Sequence, residues 1–279
     1  MLRARVLTSA LLMPVFLAAL FLLPEIYWAL LMLAVVLMGI WEWAAMANFP
    51  PAGRIGYLLA TLISGVALIF ATGAKIGYLQ QYGMFWGILV AALFWITLAP
   101  VWLVTRFHLK NMIVMAVAGW IVIVPLWFAL ISLRRISPWL LLGILAAVWI
   151  ADSAAYFIGK RFGKHKLAPK ISPGKTWEGV FGAWAAVSIY GFILCQVPST
   201  VFFHNYWLVA GLWGMTVLSI MGDLLESLIK RQANVKDSGT LLPGHGGMLD
   251  RIDGLTSSLP LAAFFIYFPL YYAAWFYYV

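Results

Sequence analysis

Apolar runs about as long as a bilayer is thick follow one another along nearly the whole chain. A helix needs about 20 such residues to cross the hydrocarbon core. In lipid only a helix or a closed barrel satisfies its own backbone, so these runs dictate the fold class. The spans expected are 6–24, 26–48, 57–73, 84–105, 112–133, 138–158, 177–197, 206–229 and 257–279. That makes about nine; the third is short and the sixth carries a charge, which leaves eight or ten open. The expected fold is therefore an all-α polytopic membrane protein. Its composition, 65% hydrophobic and 10% charged, leaves almost no room for a soluble domain, where about 25% charged residues is usual. Arg3 and Arg5 before an apolar run imitate a signal peptide, but Val6–Leu23 is long for one and ends in Pro24-Glu25 without a small-residue cleavage site. It reads as a retained first span. The single cysteine, Cys195, excludes an intramolecular disulfide.

The basic residues give these spans a direction. With the N-terminus inside, fifteen of the eighteen lysines and arginines fall in inside loops; only Lys75, Arg134 and Arg135 fall outside. This matches the positive-inside bias. The formal charge of +9 therefore points to cytoplasmic loops and anionic headgroups rather than to nucleic acid. Residues 1–135 form an N-terminal group of about five helices. Residues 136–279 form a second region with two cytoplasmic loops, 159–176 and 230–256.

Polar chemistry is concentrated in the second region. Gly222–Asp253 holds five of the nine acidic residues: Asp223, Glu226, Asp237, Asp250 and Asp253. Asp223, Glu226, Ser227 and Lys230 are spaced to share one helix face. Glu226 and Lys230 suit a self-paired, snorkelling helix end, whereas Asp223 lies deeper, where a hard cation would explain an otherwise costly carboxylate. Three glycines around His245 permit turns that present N–H groups to an anion. His245 itself suits phosphate contact, proton transfer or bracing of the loop. Asp250 and Asp253 would share a face of a short helix and repel each other without a cation nearby.

Upstream, Asp152 lies at the end of the sixth span, and an intramembrane Asp is by default functional. Glu42, between Trp41 and Trp43, reads as an interfacial anchor. The basic loop from Lys160 to Thr176 serves largely as a positive-inside anchor. Ser172, Lys175 and Thr176, with Pro173 and Gly174, suit triphosphate contact. Gly174-Lys175-Thr176 is not a Walker A loop, because Pro169 stands where that motif needs glycine. The chain has no Ser-His-Asp arrangement, no HExxH and no CxxC.

Fourteen positions fall in register with one long signature: Ser227, Lys230, Arg231, Lys236, Asp237, Gly239, Leu242, Pro243, His245, Gly246, Gly247, Asp250, Arg251 and Asp253. In these residues the chain closely resembles the bacterial phosphatidate cytidylyltransferase (CDP-diacylglycerol synthase) family. Asp152–Tyr156 and Lys170–Gly179 are similar to it as well. The resemblance is firm over the C-terminal half and mainly one of hydropathy in the N-terminal half.

The resemblance implies that CTP and phosphatidic acid react to CDP-diacylglycerol and pyrophosphate, in the bacterial cytoplasmic membrane and among its lipids. A phosphatidate oxygen would attack the α-phosphorus in line, assisted by Mg2+, alone or with a second cation. Asp223 and Asp250 are the expected metal ligands, with Asp253 and Asp152 as weaker candidates. Lys230, Arg231, Lys236 and Arg251 would neutralise phosphates, Lys230 on phosphatidate and Lys175 on CTP. Ser227, Asp237, Gly246 and Gly247 complete the expected substrate contacts. A homodimer is compatible with this reading. The competing classes are another CTP-dependent membrane enzyme, such as a polyprenol or phytol kinase, and a transporter of a phosphorylated solute. A transporter tends to hold its charges at mid-membrane in repeated halves; here they gather at one face.

The orientation is testable. Cysteine at Ser238, in a Cys195→Ala background, should resist impermeant thiol reagents in intact cells and label after lysis. Labelling from outside would reverse the topology.

Overall fold

A computed structural model describes residues 13–70, 74–196, 207–241 and 246–278, with the backbone alone for 74–82, 207 and 268–278. Helices account for nearly all of it: α1 (Met13–Leu22), α2 (Glu25–Met46), α3 (Pro51–Phe70), α4 (Ala74–Leu93), α5 (Ala99–Thr105), α6 (Met112–Ile136), α7 (Pro138–Phe162), α8 (Trp177–Gln196), α9 (Trp207–Gln232) and α10 (Leu249–Tyr278). A π-helical turn, Phe94–Leu98, joins α4 to α5 just before Pro100, which has no N–H to give to the helical ladder. Among the described residues, seven helical stretches are long and apolar enough to cross a membrane. The first and last expected spans, 6–24 and 257–279, lie partly outside the described residues.

The chain is all-helical as expected, save for one short hairpin among the described residues. Between α7 and α8, Lys166–Ala168 (β1) pairs antiparallel with Ser172–Thr176 (β2), in the register Lys166↔Thr176 and Ala168↔Ser172. The polar loop is shorter than 159–176 because α7 continues to Phe162. Glu178, at the start of α8, accepts from the His165 amide at 3.2 Å and meets its Nδ1 at 2.7 Å, clamping the hairpin base. Likewise α9 runs on to Gln232 and α10 begins at Leu249, so the second loop is 233–248.

Tryptophans lock α2 to α6. Inside an apolar bundle each indole N–H needs an acceptor. Trp28 donates to the Leu130 carbonyl at 3.3 Å, Trp43 to Met115 at 2.9 Å and Trp127 to Ala29 at 2.9 Å. At one end of the bundle, Arg134 donates to the carbonyls of Leu20 and Leu23 at the end of α1, and Arg135 pairs with Glu25. At the other end, Gln232 of α9 donates to the carbonyls of Arg106 and Phe107, and Glu42 of α2 accepts from the start of α10. The basic loops 106–110 and 160–175 and the acidic cluster thus share the second end.

Glycines let α9 and α10 pack closely. A Cβ at Gly222 would overlap the Asp253 carbonyl and Ser257 Oγ, and one at Gly254 would overlap Ser219 Oγ. By contrast, a Cβ at Gly214 meets nothing within 4 Å. Gly222→Val should therefore push the helices apart at the level of Asp223, costing about 1–3 kcal/mol or more. Gly214→Ala should change stability by no more than about 0.5 kcal/mol. Thermal unfolding of both variants in detergent checks the contrast.

Candidate active site

Four elements converge at the polar end of the bundle. The hairpin brings Lys175, whose Nζ lies 2.7 Å from Asp223 Oδ2 on α9 and donates to the Ile220 carbonyl at 3.3 Å. Ser227, one turn on, donates to Asp223 Oδ1 at 3.2 Å. Asp152, on α7, accepts from Ser219 of α9 at 3.3 Å and lies within electrostatic reach of Lys175 and Asp223. This group is open: the Asp223 side chain is 40% exposed.

A second group lies deeper. Lys230 Nζ sits 2.5 Å from both Glu226 Oε2 and Asp250 Oδ1. The other Asp250 oxygen accepts from the Ser238 amide (2.9 Å), the Ser238 hydroxyl (3.0 Å) and the Gly247 amide (2.8 Å). Asp250 thus fastens one oxygen to the loop and presents the other to a cation. Burial pushes its carboxyl up, but Lys230 and the Gly247 and Ser238 amides outweigh burial and hold it below the ordinary carboxylate range. Gly246 has φ +81°, and a Cβ there would crowd Asp250 Oδ2, so the turn needs glycine. Asp253, also on α10, lies within electrostatic reach of Asp223, Lys175 and Lys230, and so of both groups.

The shared helix face of Asp223, Glu226, Ser227 and Lys230 forms as the spacing implies. Asp250 and Asp253 lie in the opening turns of the long helix α10, not on a short one. Thr176, expected at the phosphates, is only 4% exposed and accepts from the Gly179 amide, capping α8. Arg231, Lys236, Asp237 and Arg251 lie on the exposed surface, and Ser172 is half-buried at the start of β2. His245 lies outside the described residues. Ser238 is buried, so exposed Val235 is the better position for the thiol probe of topology. Glu42 corrects its reading as an interfacial anchor. It is 2% exposed and accepts from Ser238 Oγ, the Met248 amide and the Leu249 amide, each at 2.8 Å. Nothing local in the sequence could place it there; its partners are about 200 residues away.

The donor set suits a hard cation. Asp223 and Asp250 each offer a carboxylate oxygen that now holds a lysine ammonium. Among the described residues no three Asp, Glu, His or Cys side chains surround one point. A magnesium ion here would therefore need phosphate oxygens or water to complete its shell, as this ion usually does. Two apolar cavities, about 480 and 640 Å3, lie elsewhere, between α3, α4 and α6 and among α7–α10, and suit hydrocarbon rather than phosphate.

Comparison with known proteins identifies a family. The profile of the cytidylyltransferase family matches residues 3–269. A phosphatidate cytidylyltransferase of Pseudomonas aeruginosa is 37% identical over 274 residues, covering 94% of this chain and 96% of that protein. One from Haemophilus influenzae is 36% identical, covering 97% and 100%. One from Bacillus subtilis is 44% identical over 123 residues, 44% of each chain.

Replacing the two presented carboxylates should separate their roles. Asp223→Asn, at the open group, should keep the thermal stability of the parent yet cut turnover about 100-fold or more. Asp250→Asn should lower both turnover and melting temperature, because it also unfastens the loop. Parental turnover in either variant, at matched folded protein, would remove that residue from the site.

Proposed function

Because this chain belongs to the cytidylyltransferase family, we propose that it transfers the cytidylyl group of CTP to phosphatidate, giving CDP-diacylglycerol and pyrophosphate. The observation that carries this reading is the meeting of Lys175, Asp223, Asp253, Lys230 and Asp250 at one end of an apolar bundle. A lipid phosphate and a water-soluble triphosphate can meet there without either crossing hydrocarbon.

In the reaction, an ionised phosphatidate oxygen forms a bond to the α-phosphorus of CTP. The bond from that phosphorus to the β-phosphate bridge oxygen breaks, and pyrophosphate leaves. The nucleophile is already an anion near neutral pH, so no strong base is required; positioning and charge neutralisation dominate. Lys230, 12% exposed at the inner end of α9, is placed for the lipid headgroup. Lys175, on the hairpin, is placed for the triphosphate. Each must exchange a carboxylate for a phosphate as substrate enters. Magnesium held by Asp223 and Asp250 would supply further neutralisation of the phosphates and the leaving group.

We also assign nine crossings, the N-terminus and the polar end to the cytoplasm, and the chain to the bacterial cytoplasmic membrane. Support comes from the gathering of the basic loops around the carboxylates, away from Arg134 and Arg135. This side gives CTP its access.

One assay tests the reading. Protein in detergent, given CTP labelled at the α-phosphate and a short-chain phosphatidate, should place the label in the lipid. No label in the lipid from α-labelled CTP, but label from CTP labelled at the γ-phosphate, would indicate a kinase instead. In the same assay Lys175→Ala should chiefly raise the KM for CTP, and Lys230→Ala that for phosphatidate. A lost charged contact of about 2 kcal/mol corresponds to roughly thirtyfold. Equal effects on both substrates would refute the separate assignments.

A further inference from the structure

The deepest carboxylate at this end takes no part in the reaction as written. Glu42 comes from α2, in the N-terminal half, and among the described residues its side-chain hydrogen bonds go to the segment that carries Asp250. The Met248 and Leu249 amides, at the start of α10, have no carbonyl of their own helix to donate to and give their hydrogen bonds to Glu42 instead, and a helix start favours a negative charge. Such donors are normally capped by a neighbour in sequence; here the cap comes from another helix. A Cβ at Gly239 or Gly247 would run into the Glu42 carboxylate, so the loop is drawn tightly around it.

Ser238 links this socket to the chemistry. Its Oγ lies 2.8 Å from Glu42 Oε2 and 3.0 Å from Asp250 Oδ2. One hydroxyl has one proton, so it can serve only one of the two carboxylates at a time. The Asp250 amide in turn donates to Ser238 Oγ at 3.3 Å. The chain of contacts runs Glu42, Ser238, Asp250, Lys230, Glu226, from α2 through the loop and α10 to α9.

We propose that Glu42 is a positioning residue for cytidylyl transfer. It acts through Ser238 and the start of α10 to fix the Asp250 oxygen that faces Lys230. The fastening must hold when Lys230 turns from Asp250 to a phosphate, because Asp250 then keeps only its loop contacts. Glu42 touches no substrate; it sets where Asp250 stands. The loop geometry matters most when both substrates are engaged, so its loss should appear in kcat more than in either KM.

This inference rests on the proposed reaction, and the test separates the two. The proteins compared are the parent, Glu42→Gln, Ser238→Ala and the double variant, each assayed with α-labelled CTP and short-chain phosphatidate and each melted in detergent. Failure of the parent to label lipid would sink the reaction itself. Given an active parent, Glu42→Gln should lower kcat about ten- to a hundredfold. Both KM values should stay within about threefold, and folded protein should remain abundant. The double variant should be little worse than the more impaired single variant, since contacting residues in one network are not additive. Parental kcat in folded Glu42→Gln would overturn the proposal. So would multiplied losses in the double variant, or activity falling only in proportion to folded protein. If Glu42→Gln does not fold, Ser238→Ala decides: lowered kcat at unchanged KM supports the linkage, and parental kcat refutes it.

Discussion

Charge in hydrocarbon is tolerated only when it is paired or placed at the membrane edge, and this constraint organises the whole molecule. Carboxylates from α2, α7, α9 and α10 are brought to a single end of the bundle. Each buried carboxylate there meets an ammonium, a hydroxyl or a backbone amide. Lys230 lies between Glu226 and Asp250, and removal of any one of the three would leave a buried charge short of a partner. The network is therefore cooperative, and the residues of the candidate site also align the helices that carry them.

The alignment depends equally on the absence of side chains. Gly222 precedes Asp223 and lets α9 lie against the Asp253 carbonyl; Gly254 follows Asp253 and admits Ser219. These two close approaches set Asp223 and Asp253 opposite each other. Ser257, fully buried, spends its hydroxyl on the Leu218 and Gly254 carbonyls instead of leaving it unpaired in the apolar core. The carboxylates can be functional because the backbone beneath them has no freedom to separate.

Much of this was legible in the sequence because the relevant contacts are local or periodic. Hydropathy gave the helices, and the i, i+4 spacing gave the Glu226–Lys230 and Asp223–Ser227 contacts. Charge distribution sorted the loops to one end. The features missed are those set by tertiary contact. A short hairpin of mostly polar and small residues has no hydrophobic alternation to reveal it, and its last residue, Thr176, packs against Gly159, Gly163 and Gly179, none of them adjacent to it in sequence. Thr176 looked like a phosphate contact because a hydroxyl beside Lys175 is locally indistinguishable from a cap. Glu42 looked like an anchor because two tryptophans flank it; its actual partners lie in a loop that the chain reaches only after crossing the bundle repeatedly.

The balance of charge in the open group carries one consequence for how substrates arrive. Asp152 and Asp253 both lie within electrostatic reach of Asp223 and of the Lys175 ammonium that Asp223 holds. Such a group attracts cations and repels phosphates, yet the proposed reaction brings together two phosphate-bearing molecules. Lysines on the surrounding loop can draw a triphosphate towards the membrane face, but screening confines their pull to about a Debye length, near 8 Å at physiological salt. Inside the group the repulsion must be offset at close range. A triphosphate that enters with its divalent cation already bound would bring that offset with it, exchanging Lys175 for the cation at Asp223 and freeing the ammonium for phosphate. On this view the two lysine–carboxylate pairs are the resting state of the site. The lysines keep the carboxylates from repelling one another, and each ammonium freed by an incoming cation would be available to a phosphate.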